Sequence, residues 1–194
     1  MKKLAVVFPG IGYHGDKPLL YYSKKIAAGY GFEVIEVPYG NFPKDVKGSA
    51  EKMEQAFKIA LEQSGEILKD VAFEQYDRLL FLSKSIGTAV AAAFGEGRGL
   101  RSANIYYTPV EASLRIMSQP GIVFHGTNDS WAETEPLLRM CREKNYEVHL
   151  IENGNHSLET GNVLHDLENM GSIMAATDKY IRSIGMRNGD EYES

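Results

Sequence analysis

Cysteine is nearly missing from this chain: with Cys141 alone, no internal disulfide can form, which fits a reducing compartment. Long apolar runs are missing as well, and no segment approaches the length that a bilayer crossing demands. The stretch Leu4 to Phe8 follows Lys2 and Lys3 as a signal peptide's apolar core would, but Pro9 stops it too soon, so it reads as a first strand. No Lys/Arg stripe stands out, and 21 basic against 26 acidic residues give a net charge of −5, which argues against a nucleic-acid or anionic-membrane partner. Internal repeats, low-complexity tracts and domain linkers are likewise absent. These absences leave a cytoplasmic protein built as one domain over residues 1–194, with a polar, frayed tail at 187–194 and an oligomeric state that the residues do not specify.

What is present centres on Arg78 to Gly87, RLLFLSKSIG, and the small-residue run that follows it. Leu79 to Leu82 is a short continuous apolar run, the pattern of a strand buried on both faces. The Ala-rich segment after Gly87 reads as a helix lying close to a sheet. Between them Ser85 occupies a tight strand-to-helix turn, in the spelling G-x-S-x-G except that Ser83 replaces the first glycine. Such a turn strains the backbone of its central residue and forces strand and helix together, so small neighbours are needed. A buried strand followed by a helix-capping serine would look the same. What separates the two readings is whether an acid and a histidine follow at the ends of later strands.

Along the chain, a helix is expected from about Lys17 to Tyr30, a second strand at Glu33 to Val37, and an amphipathic helix from about Ser49 to Leu68. Further strands are expected at Ala103 to Tyr107, Gly121 to His125 and Glu147 to Ile151. A helix from about Ala132 to Glu143 precedes the last strand, and a loop from Glu152 to about Asn169 precedes a final helix near Ser172 to Ile184. Six strands separated mostly by helices make an α/β protein with a mostly parallel sheet covered on both faces.

The fifth strand ends in GIVFHGTNDSWA, which puts Asp129 in a turn just past its end, and the sixth ends in EVHLIENGNHSLE, which puts His156 on the loop after it. Ser85, Asp129 and His156 therefore sit on three different loops at the carboxyl edge of a parallel sheet, where open α/β sheets bind ligands. The three residue types belong together chemically. A serine hydroxyl is a poor nucleophile until a neutral imidazole removes its proton, and a carboxylate holds that imidazole in the right tautomer. The tetrahedral oxyanion needs two donors, for which the Ile86 N–H and a backbone N–H of the first loop, Ile11, are placed.

On these residues the chain resembles the α/β-hydrolase superfamily, and its size makes it similar to small lidless bacterial lipases and dienelactone-hydrolase-like esterases. The resemblance runs from Leu4 to about Ile184. It implies the strand order 4-3-5-6-7-8 in the family's labelling, without its first two strands and without a lid domain. It also implies a serine hydrolase acting on a small acyl substrate, carboxylesterase-like, with Ser85 as nucleophile, Asp129 as acid, His156 as base, and Ile11 and Ile86 as oxyanion donors. Neither a cofactor nor a metal is expected. Two positions depart from the family pattern, Ser83 in the elbow and Pro9 where many relatives have an HG-x-G loop.

Other readings stay open at this stage. His165 competes with His156 for the base, Glu111 with Asp129 for the acid, and Lys84 would suggest a Ser–Lys dyad if adjacent side chains did not usually point apart. Tyr13, His14 and Trp131 flank the site and are expected to shape a substrate pocket, although plain packing is the alternative for Tyr13 and Trp131 and an exposed loop position for His14. Gly10, Gly12 and Gly15 spell G-x-G-x-x-G after a strand, with Glu36 about 20 residues on, the outline of a dinucleotide site. A helix begun at Gly12 would carry Pro18 in its second turn, which opposes that reading. A hydrolase fold without catalysis, used for binding, is the remaining alternative.

Overall fold

The structure is a computed structural model and describes residues 1–185; the tail expected to fray at 187–194 lies outside them. Six strands form one sheet: β1 (Lys3–Phe8), β2 (Glu33–Glu36), β3 (Arg78–Lys84), β4 (Ala103–Tyr107), β5 (Gly121–Gly126) and β6 (Glu147–Ile151). Their order is β2-β1-β3-β4-β5-β6, and every neighbouring pair is parallel. That is the order expected from the resemblance, the chain first adding β2 on one side of β1 and then all later strands on the other. All carboxyl ends consequently lie along one edge.

The helices are α1 (Pro18–Gly29), α2 (Ala50–Ile67), α3 (Ile86–Gly97), α4 (Glu111–Ile116), α5 (Thr134–Glu143) and α6 (Val163–Gly185). Successive strand residues point to opposite faces, and this alternation sorts the core into two layers. Ala5, Val7, Leu80, Leu82, Ile105 and Phe124 face α1 and α6, meeting Leu19, Leu20, Ile173 and Ile181. Leu4, Val6, Phe8 and Phe81 face α2 and α3, meeting Ala60, Val90 and Phe94. On the same side Tyr106 and Val123 pack against Leu114, Leu137 and Cys141. Cys141 is fully buried there and burial pushes its thiol pKa up to about 11, so it serves as a small apolar group.

The largest difference from expectation lies at the start of α6, which begins at Val163 rather than near Ser172. Asn162 caps the helix, its Oδ1 accepting from the N–H groups of Leu164 at 3.1 Å and His165 at 3.2 Å. Val163, Leu164 and Leu167 remain 72%, 74% and 64% exposed, so the first two turns have no buried stripe for a periodicity argument to detect. Two shorter elements also escape the sequence reading, α4 and a 3-10 turn at Phe73–Gln75. Among the described residues, no helix is long and apolar enough to cross a membrane.

Candidate functional site

Ser85 follows directly on β3 and precedes the first residue of α3, with φ 55° and ψ −125°, a conformation that a residue carrying a Cβ adopts only under constraint. The constraint is visible. Its N–H donates to Tyr107 O at 2.9 Å, and its carbonyl accepts from Thr88 N at 2.9 Å and Thr88 Oγ1 at 2.6 Å. Gly87 is required next to it, because a Cβ there would collide with the carbonyl oxygens of Phe8 and Pro9 at the end of β1. Ser83, the departure from the elbow spelling, is accommodated: it is fully buried and its hydroxyl donates to Ile105 O at 3.1 Å.

The three side chains singled out from the sequence meet at the carboxyl edge. His156 Nε2 lies 2.7 Å from Ser85 Oγ, and His156 Nδ1 lies 3.0 Å and 2.8 Å from the two oxygens of Asp129. Asp129 Oδ1 also accepts from Trp131 N at 2.8 Å. The loops that carry acid and histidine are tied together: Thr127 N donates to Ile151 O at 3.0 Å and Asn128 N to Gly154 O at 2.9 Å. Asn155 Oδ1 accepts from Ser157 N at 2.7 Å and Glu159 N at 3.2 Å, and Thr108 Oγ1 donates to the His156 carbonyl at 3.1 Å, so the histidine's backbone is anchored on both sides. The Trp131 ring stacks on the imidazole, with centroids 5.2 Å apart at 24°.

Electrostatics follow from that geometry. Burial holds the His156 pKa below its ordinary value; the Asp129 hydrogen bond opposes this, while the nearby charge of Lys84 adds to it. Burial acts to raise the Asp129 pKa, yet its hydrogen bond with His156 and the Trp131 N–H outweigh that and hold the carboxyl below its ordinary value. Near neutral pH the arrangement is thus a carboxylate, a neutral imidazole and a serine hydroxyl in series.

Two nearby backbone N–H groups are without a partner among the described residues. Gly10 and Tyr13 exchange hydrogen bonds of 3.0 Å and 3.2 Å across a turn in which Gly12 takes φ 70°, which leaves Ile11 at the tip. Among the described residues neither Ile11 N nor Ile86 N is engaged in a hydrogen bond, and Ile86 is the first residue of α3. Pro9 costs the loop no donor that it uses: its carbonyl accepts from Tyr39 Oη instead.

Of the residues expected to shape a pocket, Trp131 lines a cavity of about 420 Å³ together with Glu111, Leu114, Asp129 and Glu133. His14 lines another of about 440 Å³ with Pro9, Gly12, Tyr39 and Phe42. Tyr13 lines neither: its ring packs on the α1–α6 side of the core, and its hydroxyl accepts from Leu19 N at 3.2 Å. His165 is exposed on the first turn of α6, and Glu111 is exposed on α4 and paired with Arg115 at 2.7 Å. The glycines of G-x-G-x-x-G do not open a helix, since α1 starts only at Pro18; Glu36 is paired with Lys24.

Sequence reasoning misses the roles of two lysines. Lys47 belongs to the stretch 37–49 between β2 and α2, where Val46 packs with Ile86 and Ile11 over the elbow. Its Nζ donates to Ser130 Oγ at 3.1 Å and stands 5.6 Å from the Trp131 ring centroid, bridging one side of the site to the other. Its signal in the sequence is only a turn-rich loop. Lys84 is 1% exposed with its Nζ 5.0 Å from the Tyr13 ring centroid, and its place just before Ser85 is the available clue.

No family model matches the chain, and no curated protein matches it either. Solved structures do. Est1E from Butyrivibrio proteoclasticus, with ferulic acid bound, is similar at a TM-score of 0.67 and 10% identity, over 94% of this chain and 89% of its own. An esterase from Pyrococcus furiosus is similar at a TM-score of 0.65 and 10% identity, over 95% and 84% of the two chains. An α/β serine hydrolase without a lid, from Xanthomonas campestris, is similar at 0.61 and 12%, over 93% and 81%. At such identities the likeness is one of architecture, and with the strand order above it shows that the chain has the α/β-hydrolase fold.

Proposed function

We propose that this protein is a serine hydrolase that cleaves a small carboxylic ester through an acyl-enzyme. The observation that carries the reading is the unbroken series from Asp129 through His156 to Ser85 Oγ, with contacts of 2.8 Å and 2.7 Å, ending on a residue held at positive φ. The esterases among its structural neighbours agree with it.

The reaction follows from the positions. Ser85 Oγ attacks the acyl carbon as His156 Nε2 takes its proton, and Asp129 stabilises the imidazolium through Nδ1. The carbonyl oxygen becomes an oxyanion and accepts hydrogen bonds from Ile86 N–H and Ile11 N–H, backbone donors that have no other partner among the described residues. Collapse breaks the bond to the leaving group, which departs as an alcohol with the proton from His156. Water then attacks the acyl-enzyme, His156 again accepts and returns a proton, and the carboxylic acid leaves with Ser85 restored. The connection between β4 and β5 holds only the short α4, so substrate reaches the serine without a covering domain.

The test is hydrolysis of p-nitrophenyl esters of graded acyl length by the wild type and by Ser85→Ala. We expect turnover of short acyl chains that falls by about six orders of magnitude in the variant. No turnover of any ester, thioester or amide by folded wild type contradicts the proposal.

A further inference from the structure

A buried lysine with no ion-pair or hydrogen-bond partner in contact is costly, because little replaces the hydration its charge loses. Lys84 is such a residue. It is 1% exposed, and among the described residues its Nζ forms neither a salt bridge nor a hydrogen bond. What it does touch is specific. Its ammonium stands 5.0 Å from the centroid of the Tyr13 ring, and its stem runs beneath Gly10: a Cβ built on Gly10 would lie 3.5 Å from Lys84 Cγ, 3.3 Å from Lys84 O and 3.2 Å from Ser85 Cβ. Gly10 and Tyr13 are the two ends of the turn whose tip is Ile11. One side chain therefore supports both feet of the loop that supplies an oxyanion donor.

We propose that Lys84 is a positioning residue for the reaction set out under Proposed function, on which this inference rests: seated against the Tyr13 ring, its ammonium clamps the Gly10–Tyr13 turn and keeps the Ile11 N–H in place for the oxyanion. A cation on an aromatic face is held more firmly the less water reaches it, and Lys84 is 1% exposed. The clamp depends on the proton. Burial lowers the Lys84 pKa to about 7, opposed by the charge of Asp129, so the amine changes state in the neutral range. The groups around it are Tyr13 from the first loop, Tyr107, its register partner on β4, Asp129 after β5 and His156 after β6, with Glu159 acting on Tyr13; Tyr13, raised to about 12, and Tyr107, raised further, stay neutral. Asp129 is already ionised, which leaves His156 and Lys84 to set the profile.

The consequence is a bell. A Ser–His–Asp series alone gives an acid limb, as the imidazole loses its proton, and then a plateau. Loss of the Lys84 proton adds a fall on the alkaline side, to a lower plateau rather than to zero. The experiment is kcat and KM against pH for one ester, with wild type, Lys84→Met and Tyr13→Leu, each also labelled with a fluorophosphonate. We expect wild-type kcat to fall about ten-fold across a midpoint near the Lys84 value, with KM little changed. Lys84→Met should sit at the lower plateau at every pH above the acid limb. Tyr13→Leu should lower kcat and move the alkaline midpoint down, and it reads the clamp from the other side if Lys84→Met does not fold. A Lys84→Met enzyme with wild-type kcat, or with the alkaline fall intact, overturns the clamp and leaves the hydrolase reading standing. Folded wild type with no adduct on Ser85 overturns both.

Discussion

His156 spans the gap between Asp129 and Ser85 with both ring nitrogens, whereas His165 is exposed on α6 and Glu111 is paired with Arg115. Asp129→Asn should leave the fold intact and lower kcat by about 10⁴, because the amide no longer selects the tautomer that presents a free Nε2 to Ser85. Steady-state kinetics with thermal melts as the folding control would show it. Ser85, Asp129 and His156 are legible in the sequence because each stands just beyond a strand whose apolar run is easily found. The roles of Lys47 and Lys84 are not, and for physical reasons. Lys47 acts through a loop whose path across the site depends on Val46 packing on Ile86, a contact between residues far apart in sequence. For Lys84, the rule that adjacent side chains point apart argues correctly against a dyad with Ser85 but is silent about a side chain that works on the next loop.

Elements position these residues, and their junctions are where substitutions should matter most. Gly87→Ala drives a methyl group into the carbonyl oxygens of Phe8 and Pro9, which cannot retreat without breaking the β1–β3 pairing. The overpacking should cost about 3 kcal/mol, a melting temperature lower by roughly 6–12 °C for a domain of this size. Asn162→Ala removes the cap of α6 and should cost only about 1 kcal/mol, since the helix is held further along by Ile173 and Ile181. The start of α6 is also the least legible part of the fold. Strand β4 can be read to the residue because burial imposes a pattern on it, whereas Val163, Leu164 and Leu167 face outward and so impose none. The sheet order can be inferred only through the resemblance, since apolar patterning says that a strand is buried but not beside which neighbour it lies.

For the whole molecule, two cationic groups at the site make stability rise with pH, each over its own range. His156 has a folded pKa below its ordinary 6.5, so the unfolded chain binds its proton first, and stability is lost as pH falls through 6.5 toward the folded value. Lys84 acts in the same direction at higher pH. Between its folded value of about 7 and its ordinary 10.5 the unfolded chain binds the extra proton, so stability rises with pH across that interval. Lys84→Met removes the burial cost of the charge. Denaturant melts should find that variant more stable than wild type at about pH 6, with the difference shrinking by about pH 9. The central claim, that the elbow serine is an activated nucleophile, is tested most directly by a fluorophosphonate and mass-spectrometric mapping of the adduct. The account predicts one adduct, on Ser85, lost in Ser85→Ala and slowed strongly in His156→Ala. An adduct on another residue, or none on folded protein, would contradict it.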